Sequence, residues 1–108
     1  MLKIFQVDSF TRVPFGGNPA GVCVLEKEIE ERQYLNIAAE MNLSETAFVN
    51  PLTKSNTFGL RWFTPKTEVK MCGHATLATA WVQFTELGIE GEIFYETLSG
   101  RLKVRYVE

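Results

Sequence analysis

One stretch of the sequence restricts the fold more than any other: residues 71–85 contain no Asp, Glu, Lys or Arg. Apolar side chains here recur on nearly every side of a helix rather than along one stripe, namely at Ala75, Leu77, Ala78, Ala80, Trp81, Val82, Phe84 and Leu87. A helix that is apolar all round is a buried one. The stretch is too short and too rich in Thr and Gly to span a bilayer. The pattern therefore predicts a central buried helix over about residues 74–87, ended by Gly88.

The segments around this helix have the short alternating patterns of strands. We predict strands over about residues 2–8, 20–25, 45–50, 57–63, 92–98 and 101–107. The last two form a hairpin turned at Ser99-Gly100, with Leu102, Val104 and Tyr106 facing inward. Cys23 lies inside an apolar run and is predicted to belong to the core.

A second helix, amphipathic and on the surface, is predicted over about residues 30–41, with Asn42 as its stop. No linker or repeat divides the chain, so residues 1–108 are predicted to form a single domain. The predicted fold class is α+β, a mostly antiparallel, barrel-like sheet wrapped around the central helix.

Charge and cysteine content exclude several classes of function. The 11 basic and 13 acidic side chains give a net charge of −2 and are spread along the chain, which disfavours binding to nucleic acid or a membrane. One histidine and two isolated cysteines do not make a structural zinc site, so no metal is expected. The residues around Gly16-Gly17 fit neither the G-x-G-x-x-G motif nor the Walker motif of phosphate-binding loops. The N-terminus resembles no signal peptide, and free thiols suit a reducing compartment, so we expect a cytoplasmic protein.

Glu45 is the first candidate for chemistry. In a strand over residues 45–50 it shares a face with Ala47 and Val49, so its carboxylate points toward the apolar side. Apolar surroundings disfavour the charged form of a carboxyl group, which suits it to exchange a proton near neutral pH. A glutamate that ends a strand and turns back into water is the alternative.

The start of the predicted central helix is the second candidate. Gly73 allows a ligand to approach the backbone, and the first helical turn offers unpaired N–H groups that favour an anion such as a carboxylate. His74 could donate a hydrogen bond or relay a proton, or it could only cap the helix. Cys72 precedes this end, where a thiol can have a lowered pKa and act as a base, or can simply be a small buried side chain.

Five motifs, taken in order, resemble the N-terminal half of the PhzF-like phenazine-biosynthesis family. They are Val7-Asp8-Ser9-Phe10-Thr11, Pro14-Phe15-Gly16-Gly17-Asn18-Pro19, Met41-Asn42-Leu43-Ser44-Glu45-Thr46-Ala47-Phe48-Val49, Arg61-Trp62-Phe63-Thr64-Pro65 and Cys72-Gly73-His74-Ala75-Thr76-Leu77-Ala78. The resemblance implies the diaminopimelate-epimerase-like fold, in which two similar domains each wrap a sheet around a central helix. It also implies isomerisation of a small carboxylated metabolite by proton transfer, without a cofactor.

The resemblance assigns roles to residues of this chain. Glu45 matches the family's acid/base, and His74 is predicted to assist the proton transfer. Gly73 and His74 match its Gly-His pair that binds the substrate carboxylate, and Asn18 and Ala75, within two of the motifs, complete the predicted substrate-binding set. Cys72 matches the catalytic cysteine of related racemases and epimerases, so a racemase that uses Cys72 is an alternative.

Family members carry a second half, with an Asp-Pro-Ala-Thr-Gly-Ser type of loop, that has no counterpart in these residues. The chain could be a piece of a longer protein, a subunit completed by a separate second-half chain, or a protein that pairs with itself as a homodimer. A non-catalytic half-domain that binds a small anion or serves in assembly is the third functional alternative.

Overall fold

A single seven-stranded sheet and two helices make up the computed structural model, which describes residues 2–7 and 19–106. In chain order the elements are β1 (Lys3–Val7), β2 (Ala20–Val24), α1 (Glu31–Met41), β3 (Glu45–Pro51), β4 (Thr57–Phe63), β5 (Glu68–Val69), α2 (Gly73–Thr85), β6 (Ile93–Thr97) and β7 (Gly100–Val104). The mixed α+β class is confirmed, as are both helices and the six predicted strands, to within a few residues at their ends. The two-residue strand β5 was not predicted.

The sheet is mixed rather than antiparallel throughout. Its order is β1-β2-β3-β4-β6-β7, with β5 paired to β4. Four of the six pairings are antiparallel, whereas β2 with β3 and β4 with β6 are parallel. The sheet is thus mostly antiparallel, as predicted, although the two parallel pairs were not expected. The physical reason is that each parallel pair is joined through a helix, which returns the chain to the end of the sheet from which it started.

The strand directions place the two helices on opposite faces of the sheet. Both helical connections, β2-α1-β3 and β4-α2-β6, step toward the same edge. Because β3 runs antiparallel to β4, the two connections start in opposite directions, and right-handed crossovers then put their helices on opposite sides. The packing shows this division: Ala47 and Val49 of β3 share a core cluster with α2, and Phe48 between them shares another with Tyr34 and Ala38 of α1.

The surface helix α1 begins and ends as its sequence predicts. At its start the Gln33 side chain accepts the Glu30 backbone N–H at 3.1 Å, which satisfies one of the end donors. At its end Asn42 takes a left-handed conformation with φ 52°. Arg61 of β4 holds the helix by donating to both carboxylate oxygens of Glu31, while its guanidinium lies 4.4 Å from the centre of the Tyr34 ring.

The central helix α2 is buried on the sheet side but not all round. Leu77 is 52% exposed and Trp81 is 45% exposed, so the prediction of complete burial is wrong for this stripe. On the opposite side three polar residues, Thr76, Thr79 and Gln83, are buried. Their hydrogen bonds explain how the core accepts them, because a buried polar group costs little once it is paired.

The C-terminal end of the described chain departs from the predicted hairpin. Leu102 and Val104 pack against the α2 core as expected. Tyr106 lies beyond β7 and is 58% exposed, so its predicted inward position is wrong; its ring contacts Phe84 instead. Among the described residues, neither helix has the length and apolar character needed to cross a membrane.

Candidate functional site

Glu45 lies at the first position of β3, where the sheet meets the beginning of α2. It pairs with Ala20 of β2, and it shares a face with Ala47 and Val49, which pack in the α2 core. The predicted orientation toward the apolar face is consistent with this alternation. The residue is half-buried. Its carboxylate therefore sits at the rim of the core, where it has an apolar wall on one side.

The start of α2 provides the second part of the candidate site. Cys72 is the N-cap residue, in an extended conformation, and Gly73 is the first helical residue. Gly73 is exposed, and among the described residues no atom beyond the adjoining chain lies within 4 Å of the position that a side chain would occupy there. His74 follows as a half-buried residue. The missing side chain leaves the backbone at Gly73 uncovered by these residues.

The pKa of the Cys72 thiol is affected both by burial and by Glu45. Burial is the main reason that the pKa of Cys72 is raised, and the Glu45 carboxylate raises it further because a nearby negative charge disfavours the thiolate. Backbone N–H groups of Ala75 and His74 act in the opposite direction without overcoming these effects. Of the two alternatives left open for this thiol, a lowered pKa at the helix N-terminus is the one that these effects do not favour.

The N–H donors of the first helical turn are in contact with the same thiol. The Ala75 N–H donates to Cys72 Sγ at 3.5 Å, and the His74 backbone makes a second hydrogen bond to it. Sulfur is a weak acceptor, whereas an ionised carboxylate accepts strong, charge-assisted hydrogen bonds. A bound carboxylate would replace the thiol at these donors at little cost. Ala75 itself is fully buried, so only its backbone can serve the binding role predicted for it.

Sequence reasoning missed two residues that lie directly behind this helix end. Trp62 of β4 donates its indole N–H to Thr76 Oγ1 at 3.0 Å, and Thr76 Oγ1 donates to the Cys72 carbonyl at 2.8 Å. The sequence did contain a signal for this contact. A buried tryptophan needs an acceptor for its N–H, and a threonine stands four residues after Cys72 in a mostly apolar helix. The sequence could not show that β4 brings them together.

The structure thus brings Glu45, Cys72, Gly73, His74 and Ala75 to one end of the α2 core. Asn18, also predicted to bind substrate, lies outside the described residues. Cys23 is fully buried, as predicted, and burial raises its pKa to about 11. Within residues 2–7 and 19–106, no three His, Cys, Asp or Glu side chains are placed to hold a metal ion.

Comparison with known proteins agrees with these motifs. Residues 7–108 match the family described as phenazine biosynthesis-like protein (PhzC-PhzF). A mouse phenazine biosynthesis-like domain-containing protein is 51% identical over 99% of this chain and 40% of its own length. A Pseudomonas aeruginosa protein named an uncharacterized isomerase is 50% identical over 96% of this chain and 40% of its own.

A solved structure extends the agreement to the fold. The crystal structure of a PhzF-family protein from Enterococcus faecalis superposes with a TM-score of 0.88 at 46% identity, covering 97% of this chain and 40% of the other. The chain therefore spans about 40% of the length of the relatives that it matches. Its ordered motifs, its fold and these matches lead to one conclusion: the chain belongs to the phenazine biosynthesis-like, or PhzF, family.

Proposed function

We propose that the chain provides one wall of a PhzF-type isomerase site that moves a proton between carbons of a small carboxylated metabolite, without a cofactor. Glu45 acts as the acid/base, assisted by His74. Backbone donors of Gly73, His74 and Ala75 hold the substrate carboxylate, and Asn18 contributes as well. Membership of the family and the isomerase name carried by a relative support the reaction class.

One observation carries this proposal: Cys72, the N-cap of α2, packs against the same core cluster as Ala47, which lies two residues after Glu45. A proton-transfer site for a carboxylated substrate needs an acid/base and an anion-binding group held in a fixed relation to each other. The half-buried Glu45 meets the first need, and the N–H groups and dipole of a 13-residue helix meet the second.

A second, domain-sized partner is part of this proposal, because the outer face of α2 is open. Leu77 and Trp81 form an exposed apolar stripe that begins one helical turn after Gly73. We propose that either a second copy of this chain or a chain with the family's second half covers the stripe and closes the site. Each half would then wrap its sheet around its own central helix, and a two-fold homodimer would place two equivalent walls face to face.

Substitution of Glu45 by Gln tests the acid/base role. Small carboxylated metabolites are incubated with the protein in D₂O, and deuterium incorporation is followed by mass spectrometry. Glu45→Gln keeps the shape of the side chain but cannot exchange a proton as an acid/base, so exchange should fall at least about 100-fold. Glu40→Gln is the matched control, because Glu40 is an exposed residue of α1 on the other face of the sheet. Unchanged exchange in Glu45→Gln would refute the assignment.

A racemase or epimerase that uses Cys72 is the second candidate. It is favoured by the position of the Cys72 thiol, which is half-buried beside Glu45 at the open helix end. Full loss of exchange in Cys72→Ala, with Glu45→Gln still active, would establish it in place of the isomerase. Exchange by neither the wild type nor its variants, together with saturable anion binding, would instead indicate a non-catalytic binding domain.

A further inference from the structure

A buried hydrogen-bond relay links strand β4 to the first turn of α2. It runs from the Trp62 indole N–H to Thr76 Oγ1 and from Thr76 Oγ1 to the Cys72 carbonyl. The directions follow from the chemistry of the groups. An indole N–H can only donate, so the Thr76 oxygen must accept from it, and the single hydroxyl proton is left for the carbonyl. Trp62 is completely buried and Thr76 nearly so, so water does not compete for the bond between them, whereas the bond to the Cys72 carbonyl is part-buried.

The relay acts on the backbone at the place where the substrate carboxylate would bind. The Cys72 carbonyl and the Gly73 N–H belong to the same planar peptide group, so fixing the carbonyl fixes the direction of the N–H. The backbone N–H of Thr76 also donates to this carbonyl, at 3.0 Å. Gly73 is exposed, and among the described residues no atom beyond the adjoining chain lies within 4 Å of the position of its missing side chain. The two hydrogen bonds at the Cys72 carbonyl therefore help to hold this peptide in its orientation.

The other end of the relay is fixed to β4, the strand that pairs with the one carrying Glu45. Trp62 lies opposite Ala47 in the β3–β4 ladder, and Ala47 follows Glu45 on the same face of β3. The relay thus joins β4, the strand paired with that of the proposed acid/base, to the peptide of the anion site. Hydrogen bonds from threonine to the carbonyl four residues earlier are common in helices, and Thr79 makes one to Ala75 at 2.7 Å. What distinguishes Thr76 is the additional bond from the sheet.

We propose that Thr76 and Trp62 are positioning residues of the candidate site. Their relay holds the Cys72–Gly73 peptide so that the Gly73 N–H points at the substrate carboxylate in a fixed relation to Glu45. This inference rests on the proposed function, because it assigns a carboxylate to that N–H. Neither side chain touches the substrate.

Nuclear magnetic resonance of the ¹⁵N-labelled chain tests the relay with acetate as the probe. The orientation of the Gly73 N–H is read from its residual dipolar coupling, and acetate affinity from the Gly73 amide shift at constant ionic strength. Thr76→Val keeps the shape of the side chain but removes the hydroxyl. It should change the Gly73 coupling and raise the Kd for acetate about tenfold, the effect of misdirecting one hydrogen bond to a charged group.

Three further variants make the result specific. Thr79→Val removes a hydroxyl of the same type from the same helix and should leave both readouts at the wild-type value. Thr76→Ser should restore both readouts, and Trp62→Phe should shift them in the same direction as Thr76→Val but less. These two variants also decide the question if Thr76→Val does not fold.

The outcomes separate this inference from the function on which it rests. Wild-type acetate affinity and an unchanged Gly73 coupling in Thr76→Val would overturn the relay while leaving the anion site in place. If the wild-type chain shows no saturable response to acetate, the anion-binding part of the proposed function is refuted, and the role given to the relay falls with it.

Discussion

The buried contact between Tyr95 of β6 and Gln83 of α2 provides a quantitative test of how the helix is held in the sheet. The Tyr95 hydroxyl donates to Gln83 Oε1 at 2.5 Å. Both residues are almost completely buried, so water cannot replace either partner in this hydrogen bond. Tyr95→Phe removes only the hydroxyl and leaves the Gln83 oxygen without this donor.

The expected cost follows from the burial of both groups. A lost hydrogen bond and a stranded buried acceptor together lower the free energy of unfolding by about 2 kcal/mol. Gln83→Met should cost about the same, since it strands the Tyr95 hydroxyl instead. The double variant replaces both polar groups by apolar groups of similar shape and should cost only about 1 kcal/mol. The two substitutions should therefore show a coupling energy of about 3 kcal/mol.

Urea unfolding followed by circular dichroism measures these free energies. Each single variant should lower the urea midpoint by about 1–2 M, with the slope unchanged. Tyr34→Phe serves as a comparison, because the Tyr34 hydroxyl accepts only a long 3.3 Å bond from the Ile29 N–H and should lose less. If the cost of the double variant equals the summed cost of the single variants, the hydrogen bond is not what stabilises this contact.

The pH dependence gives the same contact a second test. Burial raises the pKa of Tyr95, so the folded chain holds its phenolic proton at a pH where the unfolded chain releases it. Stability from this group is complete below about pH 10 and is lost as pH rises above that value. Tyr95→Phe cannot lose a proton there. The difference in free energy of unfolding between Tyr95→Phe and the wild type should therefore become smaller above about pH 10. A difference that stays constant would contradict the burial argument.

Two other predictions concern the open end of the sheet and the outer face of α2. Iodoacetamide should modify Cys72 and spare the buried Cys23. Glu45→Gln should speed the modification of Cys72 at pH 8, because it removes a charge that raises the pKa of the thiol. Equal rates in the wild type and the variant would place Glu45 away from the thiol. Leu77→Asp should change the free energy of unfolding by less than about 1 kcal/mol, since Leu77 is half-exposed. It should nevertheless abolish any self-association seen by sedimentation. Leu35→Asp on α1 is the control and should leave self-association unchanged. Dimers that survive Leu77→Asp would rule out the stripe as their interface.

Local patterns were sufficient to predict the elements and to place the candidate site residues on them. Alternation along β3 put Glu45 on the α2 face, and the change from Cys72-Gly73 to an apolar run located the start of α2. Asn42 marked the end of α1 because it tolerates the left-handed conformation found there. These features depend on neighbours within a few residues, which a sequence displays directly.

Other features depend on contacts between distant segments, and these the sequence did not reveal. The parallel pairing of β2 with β3 exists because α1 carries the chain back across the sheet, and β5 is recognisable only from its pairing with Trp62 and Phe63. The pKa of Cys72 is raised, although a helix N-terminus can lower that of a thiol, because burial and Glu45 outweigh the helix end. The apolar side chain of Leu77 suggested burial, but the sequence does not show which other segment would cover it.

The placement of the two helices on opposite faces has a consequence for how such a chain can change over generations. Substitutions that alter Arg61, Glu31 or the Tyr34 ring modify the α1 face, where these groups hold one another. The Glu45–Cys72 end is assembled on the other face, from residues that pack with α2. A lineage can therefore rebuild the α1 face, or attach a new recognition surface to it, while the face that carries the candidate site is inherited unchanged.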